Sequence, residues 1–257
     1  MEPGEAREGD VVIVGGYGHV GRNLAERLAP RYPGRVVLAG RDPGKAERAA
    51  AAVGHGCRGT RLDTAEGTAP PGAAVVIMCI DQFDPSFASA CLSGGLGYLD
   101  ISADGRILEM VEALAPTARR KGGAGLIDVG LAPGLTNLAA RLLVESVGDV
   151  KQLDIFVLLG SGDDHGQAAI EWTLDKFDSE FIAYVDGTPH WFRAQRETKT
   201  VEVPGHRRPV LGVRFDFPEQ RSLFRTLRVP TVSSWLATLP PSAARSMRMA
   251  ALAGGGE

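Results

Sequence analysis

VVIVGGYGHVG, at residues 11–21, is the stretch of sequence that decides the fold. Its four apolar residues predict a buried strand, and the glycines that follow satisfy the pattern G-x-G-x-x-G expected between a strand and a helix. In that pattern the glycines permit a tight turn, a close approach to a pyrophosphate and close helix–strand packing, while the helix N-terminus offers N–H donors. We therefore predict a dinucleotide site that contains Gly16, Tyr17, Gly18, His19, Val20 and Gly21. We expect His19 to lie beside the pyrophosphate rather than to take part in chemistry.

Short β-rich runs alternate with Ala-, Leu- and Arg-rich segments as far as residue 129. This rhythm is typical of parallel strands joined by crossover helices. The predicted strands are residues 11–14, 36–39, 59–62, 75–80, 98–101 and 126–129, and the predicted helices are residues 20–28, 44–53, 85–92 and 106–121. The fold class that follows is α/β, with a Rossmann-type doubly wound parallel sheet as a first domain at residues 1–130.

A different pattern after residue 130 predicts a second, α+β domain for substrate binding at residues 131–232. Residues 134–147 and 166–184 have the apolar spacing of helices, and Asp163 or Asp164 is placed to cap the second of these. Residues 152–159 form a longer apolar strand, and residues 210–217 alternate like a half-buried strand, so we expect an antiparallel sheet. Residues 233–253 predict a helix that packs back on the first domain, within a third segment at residues 233–257.

Arg41 follows the second strand, about 20 residues after the glycine loop, where NAD-specific domains place an acidic residue on the ribose 2′-hydroxyl. A guanidinium at this position can pair with the 2′-phosphate of NADP through charge-assisted hydrogen bonds. Asp42 is the alternative, acidic residue that could contact the ribose, and an inward-pointing Asp42 would weaken a preference for NADP. We predict NADP(H) in preference to NAD(H). Asp63, after the third strand, contacts the adenine or caps a helix, and capping is the more common role.

Ligands of open α/β sheets lie beyond the carboxyl ends of the strands, which points to three further segments. Ile80 and Asp81 follow the fourth strand and are assigned to the cofactor. Asp100 and Ser102 follow the fifth strand and are assigned to the substrate, and Asp128 follows the sixth as a catalytic candidate. Because a strand-end carboxylate more often caps the next helix, that alternative stays open for Asp100 and Asp128.

The most polar cluster of the second half is SGDDHG at residues 161–166. His165 is the other catalytic candidate, as a proton donor, and Asp163 is a candidate for substrate binding, with a polar turn and helix cap as the alternative for both. Gly134 and Trp172 complete the predicted substrate residues. The sequence has neither a Ser/Tyr/Lys triad at reductase spacing nor a metal-ligand spacing of His and Cys, so we predict no metal.

Composition excludes several classes of function. A formal net charge of -3 gives no general attraction to nucleic acid or to anionic membranes. No run approaches the ~18 apolar residues of a membrane span, and the acidic, polar first ten residues do not resemble a secretory signal, which favours the cytoplasm. Cys57, Cys79 and Cys91 lack CxxC spacing and are expected to be reduced and structural.

Four stretches together resemble one family: VVIVGGYGHVGRNLAERLA at residues 11–29, LAGRD at 38–42, YLDIS at 98–102 and GLIDVGLAPGLTN at 125–137. They are similar to the saccharopine dehydrogenase-like NADP-dependent reductases, over roughly residues 10–240. The resemblance implies an NADP-binding Rossmann domain, an inserted domain whose sheet covers the active site and supports a homodimer, and a C-terminal stretch that returns to the first domain. It also implies reduction of a C=N bond.

Two departures from the family narrow the substrate. The chain is shorter than most members, and the region around residues 161–175 has no dense set of arginines for a dicarboxylate. A small imine that is amino-acid-derived or belongs to a biosynthetic pathway fits better than saccharopine itself. An iminium already carries its proton, so an imine reductase does not require a dedicated acid. Two alternatives remain open: an NADPH-dependent reductase of a C=O or C=C bond, and a non-catalytic NADPH-sensing protein.

Overall fold

The computed structural model describes residues 8–160 and 172–239. The chain divides into two compact units between Val129 and Gly130. In the described ranges, none of the helices has the length and hydropathy needed to cross a membrane. Each unit is described by itself below.

The first unit is a six-stranded parallel sheet flanked by helices. Its strands are β1 (Asp10–Val14), β2 (Val36–Gly40), β3 (Arg58–Arg61), β4 (Ala73–Met78), β5 (Gly97–Asp100) and β6 (Ala124–Leu126). Its helices are α1 (His19–Leu28), α2 (Pro43–Val53), α3 (Ser86–Ser93), α4 (Gly105–Glu112) and α5 (Ala115–Lys121). The strand order is β3-β2-β1-β4-β5-β6, which is the Rossmann order and confirms the predicted fold class.

Two hydrophobic cores cover the two faces of this sheet. Alternate residues of a strand point to opposite faces, so Val11 and Ile13 pack with Ala25 of α1. Val12 and Val14 pack in the other core, which contains Phe87 of α3. Because the chain leaves β1 and β4 toward opposite sides of the sheet, the carboxyl ends of these two neighbouring strands form the switch point where a dinucleotide binds.

The helix predicted over residues 106–121 is divided in two. Helix α4 ends at Glu112 and α5 begins at Ala115, with Pro116 in the first turn of α5. Proline lacks the N–H that a continuous helix would need at this position, so the chain starts a new helix there.

The second unit combines two sheets with helices. Its elements are α6 (Thr136–Val147), β7 (Gln152–Gly160), β8 (Glu180–Val185), β9 (Thr188–Arg193), β10 (Thr198–Val201), β11 (Val210–Arg214), α7 (Glu219–Leu227) and β12 (Thr231–Leu239). One sheet has the order β10-β11-β12-β7, and β8 and β9 form a hairpin. Leu153 of β7, Val213 of β11 and Leu223 of α7 share a hydrophobic core, and the predicted α+β character of this region is confirmed.

Two helix predictions in this unit are wrong. Residues 172–175 are helical, but Glu180–Val185 is a strand paired with β9, and its buried Phe181 and Ala183 follow a period of two. Residues 233–239 belong to β12, which is central in its sheet and buried on both faces, and a short apolar run of that kind cannot be told from a buried helix by periodicity. Residues 166–171 and 240–253 of the two predicted helices lie outside the described residues.

The main sheet of the second unit is mixed rather than antiparallel, because β12 pairs antiparallel with β11 and parallel with β7. Strand β11 was expected to be half-buried, yet Arg214 is 7 % exposed. The Arg214 guanidinium lies 3.9 Å from the ring centroid of Phe192, and its Nε donates to Glu197 Oε2 at 2.8 Å. The Phe192 ring and the Glu197 carboxylate thus stabilise the buried charge of Arg214. The alternating pattern had predicted that this residue faces solvent.

Candidate functional site

The glycine loop joins β1 to α1 as its pattern predicts. Gly18 is the N-cap residue of α1, and within the described residues no side chain caps the first helical turn. The first N–H groups of a helix have no intrahelical partner, and the helix dipole makes this end positive. The N-terminus of α1, which starts with the exposed His19 and Val20, is therefore available to an anionic group such as a pyrophosphate.

The three glycines of the motif differ in how much room the surrounding protein atoms leave for a Cβ atom. A Cβ at Gly16 would lie 2.7 Å from the Leu38 Cα, and a Cβ at Gly21 would overlap the carbonyl oxygen of Gly15. Protein packing therefore accounts for both of these glycines. A Cβ at Gly18 would meet only the Gly15 oxygen, at 3.2 Å, so Gly18 is the motif position that packing explains least. The glycine loop therefore leaves space at Gly18, as the close approach of a dinucleotide phosphate requires.

Tyr17 connects the glycine loop to the end of β2. Its ring lies so close to Gly40 that a Cβ at Gly40 would overlap it, and the Asp42 N–H donates to the Tyr17 hydroxyl at 3.5 Å. The predicted cofactor residues of the loop and of the β2 end therefore lie side by side. In a Rossmann domain this region receives the adenosine ribose.

Arg41 and Asp42 take different roles at the end of β2. The Arg41 side chain is exposed, whereas the Asp42 carboxylate accepts a hydrogen bond from the Lys45 N–H at 3.0 Å and caps α2. Asp63 similarly caps a short 3-10 helix by accepting from the Ala65 N–H at 3.1 Å, which is the second of the two roles considered for it. The structure thus places an exposed Arg41 beside a capping Asp42 at the end of β2.

The loop after β4 reaches the glycine loop. A Cβ on Gly15 would lie 2.6 Å from Ile80 Cγ2, so Ile80 and the glycine loop are in direct contact range. Ile80 is 40 % exposed, and its neighbour Asp81 is also exposed. The structure therefore brings Ile80 to the dinucleotide edge, where the sequence assigned it.

The structure corrects the expectation that Asp100 contacts a substrate. Asp100 is fully buried and accepts hydrogen bonds from Tyr98 Oη at 2.8 Å, Gln82 Nε2 at 3.0 Å and the Ser102 N–H at 2.8 Å. Ser102 is buried too. Burial and the neighbouring Asp100 carboxylate raise the pKa of the Tyr98 hydroxyl above its ordinary value. Burial, helped by the same carboxylate, raises the pKa of the Cys79 thiol to about 12.

Gln82 is a site residue that the sequence reasoning missed. A single glutamine in the loop after β4 carries no pattern that separates it from an ordinary polar loop residue. Only the fold shows that the Gln82 side chain turns inward, where its Nε2 donates to both Tyr98 Oη and Asp100.

The remaining predicted residues are distributed over both units. Asp128 is half-buried at the end of the first unit and has a left-handed backbone with φ 58°. In the second unit, the Gly134 N–H donates to Asn137 Oδ1 at 3.0 Å, and Trp172 packs with ring centroids 5.8 Å from Phe215. Trp172 is thus a half-buried packing residue rather than an open binding surface. Asp163 and His165 lie outside the described residues.

These features define the first unit as a dinucleotide-binding domain. Residues 11–124 match the family model of the saccharopine dehydrogenase NADP binding domain. Over these residues the first unit is therefore similar to the saccharopine dehydrogenase type of NAD(P)-binding domain, and the resemblance stated from the sequence is confirmed there. No sequence among the curated proteins matches the chain.

Among the solved structures that match the chain, one with a TM-score above 0.5 supports the same fold. Saccharopine dehydrogenase (L-Glu forming) of Saccharomyces cerevisiae matches with a TM-score of 0.62 and 18 % identity, over 90 % of this chain and 54 % of that chain. Scyllo-inositol dehydrogenase of Lactobacillus casei has a TM-score of 0.48 and 11 % identity, over 90 % and 70 % of the two chains. Biliverdin reductase of Synechocystis has a TM-score of 0.44 and 15 % identity, over 89 % and 72 %. The chain spans about half the length of the saccharopine dehydrogenase, 54 %.

Proposed function

We propose that the protein is an NADPH-dependent oxidoreductase that reduces the C=N bond of a small, amino-acid-derived imine. The observation that carries the proposal is the division of roles at the end of β2. Arg41 is exposed, while Asp42 uses one carboxylate oxygen to cap α2. An exposed guanidinium suits a 2′-phosphate, because it can form paired, charge-assisted hydrogen bonds with it.

The residues that would hold the cofactor follow from the loop geometry. Gly18 and the N-terminus of α1 would hold the pyrophosphate, and Arg41 would hold the 2′-phosphate. When bound, NADPH supplies the hydride, which is the cofactor's own chemistry. The task left to the chain is to bind and orient the substrate and to exclude water.

Reduction of a C=N bond is supported by the saccharopine dehydrogenase type of the first unit. Because an iminium already carries its proton, its reduction needs a proton-donating side chain less than the reduction of a C=O or C=C bond does. That agrees with a chain in which no catalytic triad can be recognised. Asp128 and His165 stay proposals as proton donors, and the corresponding test is loss of turnover with retained NADPH affinity in the Asp128→Asn and His165→Gln variants.

The experiment that tests the reaction is NADPH oxidation against a panel of cyclic imines and of amine plus keto-acid pairs, with ketones and enones as the comparison set. Turnover on imines alone is the expected result. Turnover on ketones or enones alone would replace the C=N assignment with a carbonyl or alkene reductase. Tight NADPH binding without turnover on any compound would favour a sensor.

We further propose that the protein works as a homodimer in the cytoplasm. Its three cysteines are free thiols, which fits a reducing compartment. Sedimentation equilibrium of the purified chain tests the assembly, and a monomer at all accessible concentrations would contradict it.

A further inference from the structure

A buried polar cluster lies at the carboxyl ends of the neighbouring strands β4 and β5, and it consists of Gln82, Tyr98, Asp100 and Ser102. The orientation of the Gln82 amide in this cluster is fixed by chemistry. The Asp100 carboxylate accepts from Tyr98 Oη and from one amide atom of Gln82, so that amide atom is the Nε2 donor. Gln82 Oε1 must therefore point away from Asp100.

Two atoms of the cluster, Gln82 Oε1 and Ser102 Oγ, have no hydrogen-bond partner within residues 8–160 and 172–239. Both residues are only 7 % exposed. Buried polar atoms in native proteins are nearly always hydrogen-bonded, and an unpaired one is destabilising. These two atoms therefore point to a polar partner that the described part of the chain does not supply.

The chemistry of the two atoms selects that partner. Gln82 Oε1 can only accept a hydrogen bond, whereas the Ser102 hydroxyl can donate one. A primary carboxamide offers the complement, N–H donors beside a carbonyl acceptor. The nicotinamide ring of NADPH carries such a carboxamide, and a dinucleotide in this fold lies across the carboxyl ends of the strands.

We propose that Gln82 Oε1 and Ser102 Oγ bind the carboxamide of the nicotinamide ring, and that Asp100 and Tyr98 are positioning residues that orient the Gln82 amide. Gln82 and Ser102 lie in the loops after β4 and β5, not within the sheet. Because both atoms are buried, binding of the ring there requires the loop after β4, in which Phe83 is 99 % exposed, to move aside. This assignment rests on the proposed NADPH function and adds the nicotinamide half of the site to it.

Ser102→Ala is the first test, because it removes a hydroxyl that has no partner within the described residues. The melting temperature should not fall, and the Kd for NADPH should rise about three- to tenfold, as expected for one hydrogen bond. The Kd for 2′,5′-ADP, which lacks the nicotinamide, should stay the same. Wild-type affinity for NADPH in this variant, or an equal loss for both ligands, would overturn the proposal.

Gln82 is tested with a modified cofactor, the 3-acetylpyridine analogue of NADPH, in which a methyl group replaces the carboxamide NH2. The wild-type protein should bind NADPH about three- to tenfold more tightly than the analogue. Gln82→Met should abolish this preference, while a purely structural role would weaken both cofactors and 2′,5′-ADP alike. A preserved preference in Gln82→Met would contradict the assignment. Failure of the wild-type protein to bind 2′,5′-ADP would instead overturn the NADPH function itself.

Discussion

At the scale of single residues, the cofactor assignment depends on two adjacent side chains of opposite charge. Arg41 is exposed at the end of β2, and Asp42 is engaged by the backbone of α2. The sequence placed both residues at the ribose and favoured Arg41, with Asp42 as the alternative. The hydrogen bond from the Lys45 N–H supports Arg41 in the proposed role, because one oxygen of the Asp42 carboxylate caps the following helix.

Arg41→Ala should weaken NADPH binding on the order of 10- to 100-fold, since it removes hydrogen bonds between a guanidinium and a phosphate. NADH binding should change little, because NADH has no 2′-phosphate. Isothermal titration with both cofactors measures the effect. Arg48→Ala, which removes an exposed arginine from α2, is the matched control and should leave the preference intact. An equal loss for NADPH and NADH in Arg41→Ala would refute the role.

The motif glycines give a second residue-scale prediction. Gly18→Ala should fold with nearly wild-type stability, because its Cβ meets only the Gly15 oxygen at 3.2 Å, yet it should bind NADPH at least tenfold more weakly. Gly16→Ala should lower the melting temperature, because its Cβ would press on the Leu38 backbone at 2.7 Å. Thermal denaturation and cofactor titration separate the two effects. A Gly18→Ala variant that keeps wild-type affinity would contradict ligand approach at this glycine.

At the scale of elements, the sequence predicted the first unit well and the second unit poorly. Parallel strands covered on both faces are continuous apolar runs separated by glycine loops, so their positions could be read to within two or three residues. In the second unit, Phe177 and Phe181 stand four residues apart and suggested a helix, although Phe181 begins the alternation of β8. Pairing of β12 with β7, which lies some 80 residues away (Thr231 with Gln152), is a tertiary effect that local pattern cannot reveal.

The sequence predicted part of the candidate site and missed another part. The glycine loop and Arg41 follow from spacing and charge, both of which are visible in sequence. The inward side chain of Gln82 and the burial of Asp100 follow from packing of two neighbouring strand ends. The spacing of residues along the sequence does not reveal such packing between strands.

Helix α2 supplies the element-scale prediction. Asp42→Ala removes the N-cap of α2 and should lower the free energy of unfolding by about 0.5–2 kcal/mol. The ratio of NADPH to NADH affinity should stay the same, because Asp42 does not read the ribose. Asp104→Ala, which removes the cap of α4, is the matched control for stability. A selective loss of NADH binding in Asp42→Ala would restore the alternative in which this carboxylate reads the 2′-hydroxyl.

At the scale of the whole molecule, two buried groups, Cys91 and Tyr98, and the half-buried Cys79 predict a loss of stability at alkaline pH. Burial raises the pKa of the Cys79 and Cys91 thiols from 9.0 to about 12, and Tyr98 is raised above 10.0. Because the unfolded chain loses these protons first, their contribution to stability is complete below pH 9 and is lost as pH rises toward about 12. The urea midpoint should fall over this range. Cys91→Ala should show a shallower decline, and a midpoint independent of pH would contradict the burial of these groups.

The central claim for the molecule is that its first unit binds NADPH through the glycine loop and Arg41. The measurement that tests it most directly is titration of the purified chain with NADPH and with NADH under the same conditions. The account predicts saturable binding of NADPH, at least tenfold tighter than that of NADH. Equal affinity for both cofactors would contradict the role of Arg41, and absence of binding for both would contradict the dinucleotide site itself.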